Sequence, residues 1–88
     1  MNISEFADVI DQDIIIRRYS SQSGRWSASF DHGEIKEGIM LKGEYANGLS
    51  PNEALSNYAR QIRGRKIVFH AYKDRRKEFI VPTDLKGA

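Results

Sequence analysis

Residues 50 to 64, SPNEALSNYARQIRG, constrain this 88-residue chain more than any other stretch, because they fit one amphipathic helix and little else. Ser50 and Glu53 stand at the spacing of a capping box, in which each side chain accepts a backbone N–H that the helix start leaves unpaired. Pro51 suits the first helical position, where its missing N–H is no loss. Ala54, Leu55, Tyr58, Ala59 and Ile62 then fall on one face. Gly64 tolerates the left-handed backbone that ends a helix, and Arg60 and Arg63 suit the negative end of the helix dipole. A helix over 51–63 with one apolar face needs a second surface to cover it. The chain has no cysteine to staple that surface in place, so packing alone must hold it.

The remaining segments read mainly as strands. Asn2 and Glu5 cap a short first helix carrying Ile3, Phe6, Ala7 and Ile10. DIIIRRY (13–19) and RWSASFD (25–31) form a hairpin around SQSG (21–24), and DHGE (31–34) is a second turn in which Gly33 is available for positive φ. Ile35, Ile39 and Leu41 give a third strand, with a bulge expected at Glu37 and Gly38, and KGEYANG (42–48) reads as a loop. After the main helix, RKIVFHAY (65–72) and KEFIV (77–81) make two more strands around the turn KDRR. The order α-β-β-β-α-β-β predicts an α+β fold of two layers, a mainly antiparallel sheet packed against the one main helix at 51–63. Trp26, Phe30, Leu55, Ile62, Ile67 and Phe69 are the expected core. Residues 1–82 are expected to form a single domain, followed by a flexible tail over 83–88.

Charge is distributed unevenly. Residues 1–59 carry a net −4, residues 60–77 a net +7, and residues 78–88 a net −1. The basic segment therefore supplies the candidate binding residues: Arg60, Arg63, Arg65, Lys66, His70, Tyr72, Lys73, Arg75, Arg76 and Lys77. Two readings stand side by side. Cations interleaved with aromatic rings suit a surface that tracks phosphates and stacks on bases. Cations on strands also keep a sheet soluble and block edge-to-edge pairing. The base of the hairpin and its tip should form two separate clusters, about 23 Å apart at the rise of an extended strand.

Other chemistries find little footing. The two histidines, His32 in a turn and His70 in a strand, match no metal-ligand spacing, and no cysteine is present to join them. No nucleophile stands beside a base, and the glycines do not form a phosphate-cradling loop. No catalytic residue, cofactor or metal is expected. No apolar run reaches the roughly 18 to 20 residues that span a bilayer, and the start lacks a signal-peptide pattern, so a cytoplasmic protein without membrane partners is the expectation.

The residues GRWSASFDH and GLSPNEALSNYARQI, within 24–62, resemble the partial ribonuclease-H-like module of HicB-type antitoxins. The likeness lies in a glycine turn leading to an aromatic strand that ends near an acidic residue, and in a Ser-Pro-x-Glu-Ala helix start. It covers about half the chain. The resemblance implies a module that binds a protein and lacks ribonuclease activity.

Two functions follow as expectations. The first is a small non-enzymatic protein-interaction module, antitoxin-like or an accessory protein of a phage or mobile element, which binds a protein partner or itself through the open sheet face or an exposed edge, a homodimer being expected through DIIIRRY. The second is a nucleic-acid-binding module that uses the basic 60–77 segment.

Overall fold

The computed structural model describes residues 1–20 and 24–87. Three residues of the expected SQSG turn, 21–23, and the last residue of the expected tail lie outside the described residues. Both helices start as their caps dictate. In α1 (Ile3–Ile10) the Asn2 side chain accepts the Glu5 N–H at 2.8 Å and the Glu5 carboxylate accepts the Asn2 N–H at 3.1 Å. In α2 (Pro51–Ile62) the Ser50 hydroxyl accepts the Glu53 N–H at 3.1 Å, so of the expected box the Ser50 half is formed. Ala54, Leu55, Tyr58, Ala59 and Ile62 are the buried face of α2, as their spacing requires.

Among the described residues the fold is α+β with antiparallel pairing between all of its strands, and it holds two sheets where one was expected. β1 (Ile14–Ser20), β2 (Arg25–Phe30) and β5 (Ala46–Gly48) make the first, in the order β1-β2-β5. β3 (Gly33–Glu37), β4 (Met40–Lys42), β6 (Lys66–Phe69) and β7 (Lys77–Ile80) make the second, in the order β4-β3-β6-β7. The division falls between β2 and β3, at His32, whose φ of 58° turns the chain out of one sheet and into the other. The left-handed residue is therefore His32 and not Gly33. Gly33 serves a different need: a Cβ there would stand 2.9 Å from Phe30 Cβ and 3.0 Å from the Phe69 ring.

Two short strands account for the rest of the difference. Gly38, at φ 59°, sets a tight turn that opposes Glu37 and Met40, so the expected bulge is a hairpin turn leading into β4. Within the segment read as a loop, β5 pairs Ala46 with Ala28 and Gly48 with Trp26. Gly48 lets this strand run against the helix start, since a Cβ there would collide with the backbone of Glu53 and Ala54.

One apolar cluster joins the two sheets and the two helices, and Phe30 lies at their junction. Its ring meets Phe6 of α1 at 6.0 Å, Tyr58 of α2 at 6.0 Å and Phe69 of β6 at 5.4 Å between centroids. Of the expected core, Phe30, Leu55, Ile62, Ile67 and Phe69 are buried, while Trp26 is only partly so. Trp26 lies at the end of the β2–β5 pairing, where the Arg18 guanidinium stands 5.7 Å from its ring. The tail also differs from expectation. Leu85 is fully buried in the apolar cluster, and Lys86 bridges to Asn2, its carbonyl accepting the Ile3 N–H at 2.8 Å and its N–H donated to the Met1 carbonyl at 3.1 Å, which ties the tail to the start of α1.

Candidate interaction surface

The ten candidate residues occupy three places. Arg60 and Arg63 are exposed at the end of α2, where the Arg63 N–H is donated to the Ala59 carbonyl. Lys66 is exposed at the start of β6, while Arg65, just before it, is half-buried. His70, Tyr72, Lys73, Arg75 and Arg76 lie on the connection between Phe69, the last residue of β6, and Lys77, which opens β7 and is the tenth candidate. His70 and Tyr72 were read as strand residues, but β6 stops at Phe69 because His70 adopts φ 53°. Lys73 then donates its N–H to the His70 carbonyl at 3.0 Å, and Arg76 donates to Lys73 at 3.1 Å, so the tip is a pair of turns.

Carboxylates from elsewhere in the chain engage three of the eight cations. Arg65 reaches both Glu44 oxygens at 2.9 Å and a Glu37 oxygen at 2.7 Å, while Gln61 donates to Glu44 at 2.9 Å. Such a two-pronged guanidinium–carboxylate pair fixes direction as well as charge. The ammonium of Lys42, and after it Arg65, hold the Glu37 carboxyl below its ordinary range. On the outer face of the second sheet, Lys36, Lys66 and Arg76 converge on Glu78 at 3.7, 3.9 and 3.5 Å. Val68, the cross-strand neighbour of Glu78, is fully buried. Among the described residues, Arg60, Arg63, Lys73, Arg75 and Lys77 make no ion pair.

A second surface, outside the basic segment, was not legible as a site. The β1–β2 register runs from Ile14 opposite Phe30 to Arg18 opposite Trp26, which sends Ile15, Arg17, Ser27 and Ser29 to the face away from the core. Together with Tyr45, Asp31 and His32 they line an open groove of about 590 Å³. His32 also borders a smaller depression of about 200 Å³ with His70, Tyr72 and Lys73. The two imidazoles pack at 5.0 Å between centroids, inclined by 31°. Burial, then Arg75, His32 and Lys73, lower the pKa of His70 and favour its neutral form. The sequence carries no signal for this pairing, since His32 reads as a turn residue and His70 as a strand residue.

β1 is the longest strand and stands at a sheet edge, with β2 on one side and no other strand beside it among the described residues. Exposed apolar side chains accompany the sheet edges, with Ile16 on β1, Ile39 and Met40 at the β3–β4 turn and Ile80 on β7. No group of three or more metal-binding side chains gathers among the described residues. No helix among them is long and apolar enough to cross a membrane. Comparison with family models, with curated proteins and with solved structures gives no match.

Proposed function

We propose that this chain is a small non-enzymatic protein-interaction module that engages its partner through a sheet edge. The β1 edge carries this reading. Edge strands in small domains are commonly blunted by shortness or by charge, as the three-residue β4 and β5 are by shortness, whereas β1 runs for seven residues with three consecutive isoleucines. The unpaired backbone groups of such a strand are a template for another strand. The resemblance of residues 24–62 to HicB-type modules, which bind a protein and do not cut RNA, supports the same class of role.

Nucleic-acid binding is the second reading, and one observation favours it. The groove bordered by Arg17, Arg18 and His32 and the smaller depression bordered by His70, Tyr72 and Lys73 share His32, so cations and rings stand on both sides of it. Against it, Arg65, Lys66 and Arg76 of the basic segment already face carboxylates. Titration of labelled mixed-sequence single-stranded DNA and RNA with the protein separates the two. The interaction-module reading expects no saturable binding near physiological salt. Saturable binding whose log affinity falls linearly with log salt, and which is lost on changing Lys73 and Arg75 to Glu, would replace it with the nucleic-acid reading.

A further inference from the structure

We infer that β1 pairs with β1 of a second copy of this chain, antiparallel across a two-fold axis at Ile15. The inference rests on the interaction-module reading and names its partner and register. Backbone geometry comes first. Asp31 donates its N–H to the Asp13 carbonyl at 2.8 Å, which marks Asp13–Asp31 as a hydrogen-bonded pair in the extension of the β1–β2 ladder. Alternation then makes Ile15–Ser29 and Arg17–Ser27 the hydrogen-bonded pairs that follow. Ile14, Ile16 and Arg18 therefore direct their N–H and C=O groups away from β2, toward the free edge. A second strand must bond to these three residues.

Side chains then select the register. In a two-fold antiparallel pair, opposed residues share a face, so the axis passes through a residue facing its own copy. An axis at Arg17 sets two guanidinium groups directly opposite one another, which is repulsive. An axis at Ile16 sets Arg17 against Ile15 and Arg18 against Ile14, with no compensating charge. An axis at Ile15 sets Asp13 against Arg17 twice, once on each side of the axis, and Ile14 against Ile16 twice. Asp13 and Arg17 are exposed, and neither has an ion-pair partner among the described residues. The same register covers Ile16, which is 39% exposed in the single chain. Its hydrogen-bonded pairs are Ile14–Ile16, the residues whose backbone groups point outward. Two three-stranded sheets thereby become one of six strands, and Arg17, which excludes the register centred on itself, stabilises this one.

The chain has no cysteine, so a single introduced thiol reports the register directly. In the proposed pair, Ile15 faces Ile15 at the close, non-hydrogen-bonded spacing of about 4.5 Å between Cα atoms, which a disulfide spans. Mild oxidation of Ile15→Cys should give a covalent dimer. Ile16→Cys should not, because its copy lies two residues away along the strand, beyond the roughly 7 Å limit. Sedimentation of the unmodified protein should show a dimer. Asp13→Arg should weaken it about tenfold or more, as two attractive pairs become repulsive, and Arg17→Asp in the same chain should restore it. A monomer at millimolar protein overturns the inference. So does cross-linking at 16 in place of 15, or a dimer indifferent to Asp13→Arg. Since the unmodified protein is measured directly, a variant that misfolds leaves the test intact. A monomer would remove self-pairing alone, and the nucleic-acid titration would still decide the broader reading.

Discussion

Replacing Tyr58 with Phe removes one oxygen from the centre of this protein, and the structure says what that oxygen does. The β2–β5 ladder pairs Trp26, Ser27 and Ala28 and stops at Ala46. Phe30 lies two residues further along β2, and its backbone N–H points to the side where β5 has ended. The Tyr58 hydroxyl accepts that N–H at 3.1 Å, standing in for the missing strand. Tyr58 is 1% exposed and Phe30 is 3% exposed, so water cannot take its place. Stranding a buried N–H costs about 1–3 kcal/mol. With a urea dependence of roughly 1–2 kcal/mol per molar for a domain of this size, Tyr58→Phe should lower the unfolding midpoint by about 1 M.

The same oxygen makes stability depend on alkaline pH. Burial pushes the Tyr58 hydroxyl up to about 12. Its unfolded value is about 10, so the folded state holds the proton more tightly. That contribution is fully present below about pH 10 and is lost as the pH rises toward 12, for a total of roughly 2–3 kcal/mol. Urea melts of both proteins from neutral pH upward cancel the titration of groups they share. The gap between them should be widest below about pH 10 and should narrow above it. If Tyr58→Phe leaves the midpoint unchanged at neutral pH, the hydroxyl is not the partner of the Phe30 N–H and the reasoning fails.

Leu55→Ala should cost roughly 2–5 kcal/mol in the same assay, toward the low end because the side chain is 7% exposed, and a loss under about 0.5 kcal/mol would mean that the buried face of α2 is misassigned. Arg65→Ala should destabilise by about 1–3 kcal/mol, through loss of its charged hydrogen bonds to Glu44 and Glu37, whereas Arg75→Glu with Arg76→Glu should cost under about 1 kcal/mol. The reverse order, read by thermal or urea unfolding, would show that Arg65 is not a structural cation. By proton NMR, His70 should titrate below the ordinary histidine value, and Lys73→Ala with Arg75→Ala should raise it. No change on removing both cations would refute the share of the shift assigned to them and leave burial and His32 as its causes. Because the folded pKa is the lower one, the contribution of neutral His70 is present above the ordinary value and is lost as the pH falls through the folded one.

What the sequence made legible follows the range over which each signal acts. The caps at Asn2 and Ser50, the stop near Gly64 and the apolar face of α2 depend on residues within one or two turns, and all are found where local rules place them. The division into two sheets depends on the backbone of His32 and on the absence of a Cβ at Gly33, where Phe30 and Phe69 converge from distant strands. No window around 31–34 contains Phe69. β4 and β5 are three residues each, too short for an alternation to register, and they are specified by their partners Ile35 to Glu37 and Trp26 to Ala28. Leu85 looked like a tail residue for the same reason.

The charged surface illustrates the limit more sharply. The excess of cations over 60–77 is real as composition, yet Glu37 and Glu44 lie more than twenty residues before Arg65, and β3–β6 pairing brings β3, which ends at Glu37, alongside it. Glu78 falls just outside the basic segment and gathers Lys36 from another strand as well as Lys66 and Arg76. A window that counts charge along the chain separates these partners, while the sheet, which neighbours residues by register, unites them. The opposite happens on β1. Arg17 and Arg18 are adjacent in sequence and would be scored as one patch, but along a strand their side chains alternate, and Arg18 is drawn over the Trp26 ring while still bordering the groove that Arg17 lines. Asp13 and Arg17, four residues apart, share a face. The charge pattern that bears on the proposed β1 pairing is therefore the two-residue alternation within one strand, and the larger excess further along the chain is partly consumed in holding the second sheet together.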